Sequence, residues 1–206
     1  MSKSGRSFSS KKRNKQSRKE KPMIIITAEG RNETEARYFN NFRTADCPYI
    51  IKFHKAGNLT DPTKLAESIR KRWDAEEADV RTGDMAFVVV DLDNKEDKAK
   101  EIQQLEAKNR VEKFIVSNPC FEVWYLLHYG FSTKSYINAD AVIKELKKHY
   151  PRYEKTSDMY SLLKNKMDDA ITNAEKLEKY YEKEEQLHTD VSRNPYTDVY
   201  KIVKML

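Results

Sequence analysis

The chain has little of what several function classes require. Two cysteines, Cys47 and Cys120, cannot make a zinc site by themselves and suggest no disulfide framework. No apolar run approaches the roughly 20 residues that a membrane helix needs, so no membrane partner is expected. The N-terminus carries charge with no apolar stretch behind it, which argues against a secretory signal and for a soluble, cytoplasmic protein. Five glycines form neither a P-loop nor a G-x-G-x-x-G, so no ATP-hydrolysing site is expected. No Ser/His/Asp order stands out. Apolar residues make up 38% and charged residues 35%, a poor ratio for a compact globule.

Part of that charge lies in one place. Residues 1–22 hold nine Lys or Arg and one acidic residue, Glu20, so the other 184 residues carry 30 basic against 32 acidic side chains. The body is therefore slightly acidic, and residues 1–21 form a basic tail. Such a tail cannot bury enough surface to offset its ordering entropy and is expected to be disordered. Its uses are binding nucleic acid through counterion release, or solubility alone.

What is present is an alternation of apolar runs and helical patterns. Met23-Ile24-Ile25-Ile26-Thr27-Ala28 reads as a strand buried on both faces, closed by Glu29 and broken by Gly30. A helix follows with Tyr38, Phe39 and Phe42 on one face. Tyr49 to His54 is a second strand, and Asp61-Pro62 supplies an N-cap and first residue for a helix bearing Leu65, Ile69 and Trp73. Met85 to Val90 is a third apolar run, ending in Asp91-Leu92-Asp93-Asn94, and a polar helix carries Ile102 and Leu105. Lys113 to Val116 is the fourth strand, and Ser117-Asn118-Pro119 launches a helix with Phe121, Trp124 and Tyr125, read as core. Four strand–helix repeats indicate a compact α/β sheet. From about residue 138 only helices are expected, over 139–149, 157–167, 168–187 and after Asn194-Pro195.

In an open parallel sheet, ligands bind beyond the carboxyl ends of the strands. Glu29, Asp91 and Asp93 sit at such ends and are candidates to meet around one hard cation. The plainer alternative is that Asp93 or Asn94 caps the next helix and Glu29 is a solvated strand end. Asn32-x-x-Glu35 has capping-box spacing, so Glu35 is either cap or ligand. Glu122 falls in the first turn of a helix, where the dipole favours a carboxylate, and its place beside the fourth strand end aims it at the same cleft. Ser117 and Asn118 are expected to cap the helix or donate to phosphate. His54 and His128 are expected to pack or face solvent.

The ordered set Glu29-Gly30 with Thr34-Glu35 and Tyr38-Phe39, Gly57 with Asp61-Pro62, Asp91-Leu92-Asp93, Ser117 to Trp124 and Asn194 to Tyr200 resembles the RloB-like family, a branch of the Toprim proteins. The resemblance spans everything after the basic tail. It implies a Toprim-like parallel sheet of about four strands flanked by helices over 22–130, with an all-helical C-terminal extension over 131–206 packed on it. It also implies a site for Mg²⁺ or Mn²⁺, nuclease activity on DNA or RNA, a role in bacterial defence against phage, and a companion ATPase. A homo-oligomer is left open. On that basis Asp91 and Asp93 are ligands, Glu29 is ligand or water-positioning base, and Glu122 belongs to the catalytic set. Whether Glu33 or Glu35 fills the second acidic position stays open. The competing function is a non-catalytic nucleic-acid-binding or regulatory subunit.

Overall fold

The computed structural model describes residues 21–30, 33–182 and 186–206, with the side chain of Glu33 outside that set. The expected disordered tail, apart from Lys21, lies outside the described residues. Lys21 donates to the carbonyls of Ala45 and Cys47, both at 2.6 Å.

A five-stranded sheet in the order β2-β1-β3-β4-β5 forms the centre. Strands β1 (Met23–Ala28), β2 (Ile50–His54), β3 (Met85–Asp91) and β4 (Glu112–Asn118) are parallel, the Toprim-like arrangement expected. All six β1 residues are buried because the strand lies between two others and both sheet faces are covered, as its unbroken apolar run requires. Helices α1 (Glu33–Asn40), α2 (Pro62–Ala75), α3 (Glu96–Glu106) and α4 (Glu122–Leu127) follow the four strands in turn. Asp61 caps α2 as expected, accepting from the Lys64 amide at 2.9 Å with Pro62 in the first position.

Beyond α4 come α5 (Ala139–His149), α6 (Met159–Leu163), α7 (Met167–Glu182) and α8 (Val199–Val203). A short 3-10 turn, Lys164–Lys166, separates α6 from α7. The extension is not helical throughout. Tyr196–Thr197 forms β5, antiparallel to β4, with Thr197 opposite Ser117 and Tyr196 opposite Asn118. Two residues are too few to show a strand period, so pairing partners rather than local pattern make this strand.

The main core is an apolar cluster from Met23 to Val203, with a smaller one of Cys120, Val123, Tyr136 and Val142. The main cluster joins the sheet to Leu163, Ala174, Leu177, Tyr181 and Ile202 of the C-terminal region. Tyr38 centres an aromatic group with Phe39, Phe42, Phe121, Trp124 and Tyr125, ring centroids 5.5–6.5 Å apart. The residues Phe121, Trp124 and Tyr125 are thus core, as their spacing indicated. His128 is buried with them, edge-on to Trp124 at 4.8 Å, and burial lowers its pKa to about 4. His54 faces Ser68 Oγ at 2.8 Å.

Candidate active site

The register of the sheet brings the acidic strand ends level. Ala28 pairs with Val89, so Glu29, one residue further, lies beside the end of β3, and Asp91 pairs with Ser117 of β4. Gly30 then turns the chain away with φ +64, a left-handed value that glycine adopts without strain, and its amide donates to the Leu59 carbonyl at 2.7 Å.

After β3 the backbone makes an unusual bend. Asp93 and Asn94 both take left-handed φ values, 53° and 58°, which among residues with a Cβ are best tolerated by Asp and Asn. Amides of the bend are held from β4 and beyond: Leu92 donates to Ser117 O at 2.8 Å, Asp93 to Pro119 O at 3.0 Å and Asn94 to Asn118 Oδ1 at 3.1 Å. Neither Asp93 nor Asn94 caps α3. Lys95 is the N-cap residue and makes no side-chain cap bond. The Asp93 carboxylate is thereby left facing two lysines, Lys95 at 3.1 Å and Lys98 at 3.9 Å.

Five carboxylates share this end of the sheet. Asp91 is surrounded by Glu35, Glu29 and Glu122, and its Oδ1 is shut off from solvent with no hydrogen-bond partner. Burial first, then those three like charges, pushes its carboxyl well above the usual range, with Lys98 acting the other way. Glu35 is buried, and burial together with Glu122 and Glu29 raises its pKa to about 7. The capping reading of Glu35 rests on Asn32, which is outside the described residues, as is the Glu33 side chain. Glu29 is raised too, by burial and by Asp93, while Lys98 opposes the shift. Glu122, the first residue of α4, is buried and accepts from the Tyr153 hydroxyl at 2.8 Å. Cys120 lies against Glu122 and Asp91, and burial and those charges push its thiol up.

The residue missed by sequence reasoning is Lys98. From the first turns of α3 its ammonium donates to Glu29 Oε2 at 2.5 Å and to the Asp91 carbonyl, at 11% side-chain exposure. A lysine five residues past Asp93 in a polar helix carries no signal by itself. Only the turn of α3 back over the β1 end makes it part of the site.

Ser117 and Asn118 take neither role expected of them. Ser117 Oγ meets Thr197 Oγ1 at 2.8 Å, and Asn118 Nδ2 donates to the carbonyls of Val191 and Arg193 at 2.8 and 3.1 Å. Both stitch β4 to the C-terminal segment.

The donor set consists of carboxylate oxygens, which suits Mg²⁺ or Mn²⁺ and not a soft metal. Asp91 Oδ1, buried and unpaired, is the kind of atom a hard cation would satisfy. Among the described residues, however, no three His, Cys, Asp or Glu side chains are grouped so as to hold an ion. The ammonium of Lys98 lies between Glu29 and Asp93 instead.

The model of the RloB-like protein family matches residues 24–206. No curated protein and no solved structure matches the chain.

Proposed function

The chain belongs to the RloB-like family, and from that premise we propose that it is a Mg²⁺- or Mn²⁺-dependent phosphodiesterase of the Toprim type, cutting nucleic acid in bacterial anti-phage defence. The observation that carries this reading is the buried, unpartnered Asp91 Oδ1 among Glu29, Glu35 and Glu122. Like charges this close cost stability unless a cation or protons relieve them. Glu29, Asp91 and Asp93 would have to draw together, displacing the Lys98 ammonium, to hold the metal, with Glu35 beside them. A bound divalent ion there supplies polarisation of the scissile phosphate and a more acidic water. Glu35, with a pKa of about 7, is matched to take up the proton of an attacking water near neutral pH. Tyr153 fixes the Glu122 carboxylate through its hydroxyl, and the ammonium of Lys98 can turn from Glu29 to a phosphate oxygen.

A second reading is a non-catalytic nucleic-acid-binding or regulatory subunit that partners an ATPase. The placement of Lys98 in the middle of the carboxylates favours it, since the chain then supplies its own cation. Incubating the protein with plasmid, single-stranded DNA and RNA, each with Mg²⁺, Mn²⁺ or EDTA, separates the two. The phosphodiesterase reading expects cleavage with metal, none in EDTA, and none by Asp91→Asn or Asp93→Asn with unchanged circular dichroism. Binding without cleavage under every metal condition would replace it with the regulatory one.

A further inference from the structure

We propose that the strip formed by residues 131–138 and α5 is a binding track for single-stranded nucleic acid, leading to the carboxylates. Its purpose rests on the phosphodiesterase reading; its capacity to bind does not. After α4 the chain runs from Phe131 to Asn138 without helix or strand, displaying Phe131 at 45% and Ile137 at 85% exposure. The backbone beneath them is well tied. Tyr136 is buried on Cys120, Val123 and Val142, and its amide donates to Asn194 Oδ1 at 2.9 Å. Asn94 Nδ2 donates to the carbonyls of Tyr136 and Ile137 at 3.2 and 3.1 Å. Apolar groups are thus presented by a fixed backbone, which is how a contact surface differs from a frayed loop.

The ties also place the strip. Asn94 directly follows Asp93, and Cys120 lies against Glu122 and Asp91. One end of the strip therefore stands at the lip of the acidic cluster. Away from that lip run two clefts of about 310 and 210 Å³ that share Lys134, Tyr136 and Glu145. The second reaches Tyr129 and His149, whose rings stack at 4.3 Å and 13°.

The charge along this course is basic. Lys134 and Lys148 share Glu145, at 2.5 and 3.0 Å, whereas Lys144 and Lys147 make no ion pair among the described residues. Lys166 stands 4.9 Å from the Tyr129 ring centroid. Lysines on the last turn of α5 also favour its dipole, but Lys144 lies a full turn earlier and gains little from that. Interleaved cations and exposed apolar or aromatic groups suit a strand whose phosphates meet lysines while its unstacked bases lie on rings. A duplex hides its base faces and cannot use Phe131 in this way.

The test is binding, measured in EDTA in an Asp91→Asn background, so that neither metal nor cleavage enters. Fluorescence anisotropy would follow a labelled single-stranded oligonucleotide and its duplex across a salt series. Lys144→Gln/Lys147→Gln should weaken single-strand binding at low salt and reduce the slope of log K against log salt by about 1.4, from about 0.7 per phosphate contact. Phe131→Ala should cost about tenfold with little change of slope, since stacking is not ionic. Both variants should melt as their parent does. Unchanged affinity in both variants would overturn the proposal. An equal loss for the duplex in Phe131→Ala would overturn the single-strand assignment, since the lysines meet the phosphates of either form. Losses as expected in a wild type that cleaves nothing would uphold the track while removing the phosphodiesterase reading.

Discussion

Replacing Lys98 with Met takes one positive charge out of a site that holds Glu29, Asp91 and Asp93. The carboxylates then repel without relief, and breaking a largely buried ion pair costs on the order of 3 kcal/mol. For a chain of this size that is roughly 6–12 °C in melting temperature. With its own cation gone, the site should gain more from Mn²⁺ than the wild type does. A Lys98→Met protein that melts like its parent and responds to Mn²⁺ identically would make Lys98 a bystander. The reverse holds for Asp91→Asn, which relieves the repulsion while keeping the Lys98–Glu29 pair. Its metal-free melting point should rise while its metal response disappears. The wild type, at a hundredfold excess over the dissociation constant, should gain about 2.7 kcal/mol from metal, read as an upward shift in a melting series with Mg²⁺ or Mn²⁺. At this scale Glu29, Asp91 and Asp93 were legible because they close apolar runs. Lys98 was not, since a helical lysine acquires meaning only from the strand end it reaches.

Elements show the same division between local and distant information. Strands β1 and β3 announce themselves as unbroken apolar runs because both their faces are covered. The two-residue β5 has no such mark, and its pairing depends on Asn118 and Ser117 meeting partners more than 70 residues away. A further tie holds the segment leading into α8. His188 sits between Glu106 of α3, at Nε2 and 2.9 Å, and the buried Asp198, at Nδ1 and 2.7 Å. Lys201 of α8 also reaches Asp198, at 2.6 Å. Burial alone would lower the His188 pKa, but its two carboxylate partners raise it from 6.5 to about 9. The folded state therefore holds this proton more tightly than the unfolded chain. The stabilisation is complete below pH 6.5 and is lost as pH rises through about 9, on the order of 3 kcal/mol in all. Chemical denaturation of the wild type should show this fall between pH 6.5 and 9.5, and His188→Gln should be weaker at pH 6.5 and flatter across the interval. Parallel pH profiles for the two proteins would exclude the clamp as the source.

For the whole molecule, the distribution of charge decides how it meets a polyanion. The folded body is slightly acidic, with its carboxylates gathered at one end of the sheet and lysines along the 131–149 strip. Residues 1–20 hold eight Lys or Arg, and Lys21 is tied to Ala45 and Cys47. A deletion should therefore stop at residue 20 and leave that tie in place. Charges close in sequence bind phosphates by counterion release, with no preference for strand number. Deleting residues 1–20 should weaken binding to duplex and single strand alike at low salt and flatten both salt dependences. The melting temperature should stay nearly the same, because the deletion removes no part of the described core. The strip behaves differently, since loss of its Phe131 ring weakens the single strand alone. Binding titrations of the deletion on both forms, across a salt series, read the difference. Equal affinity before and after deletion at every salt concentration would make the tail a solubility feature, and the strip alone would then carry the contact with nucleic acid.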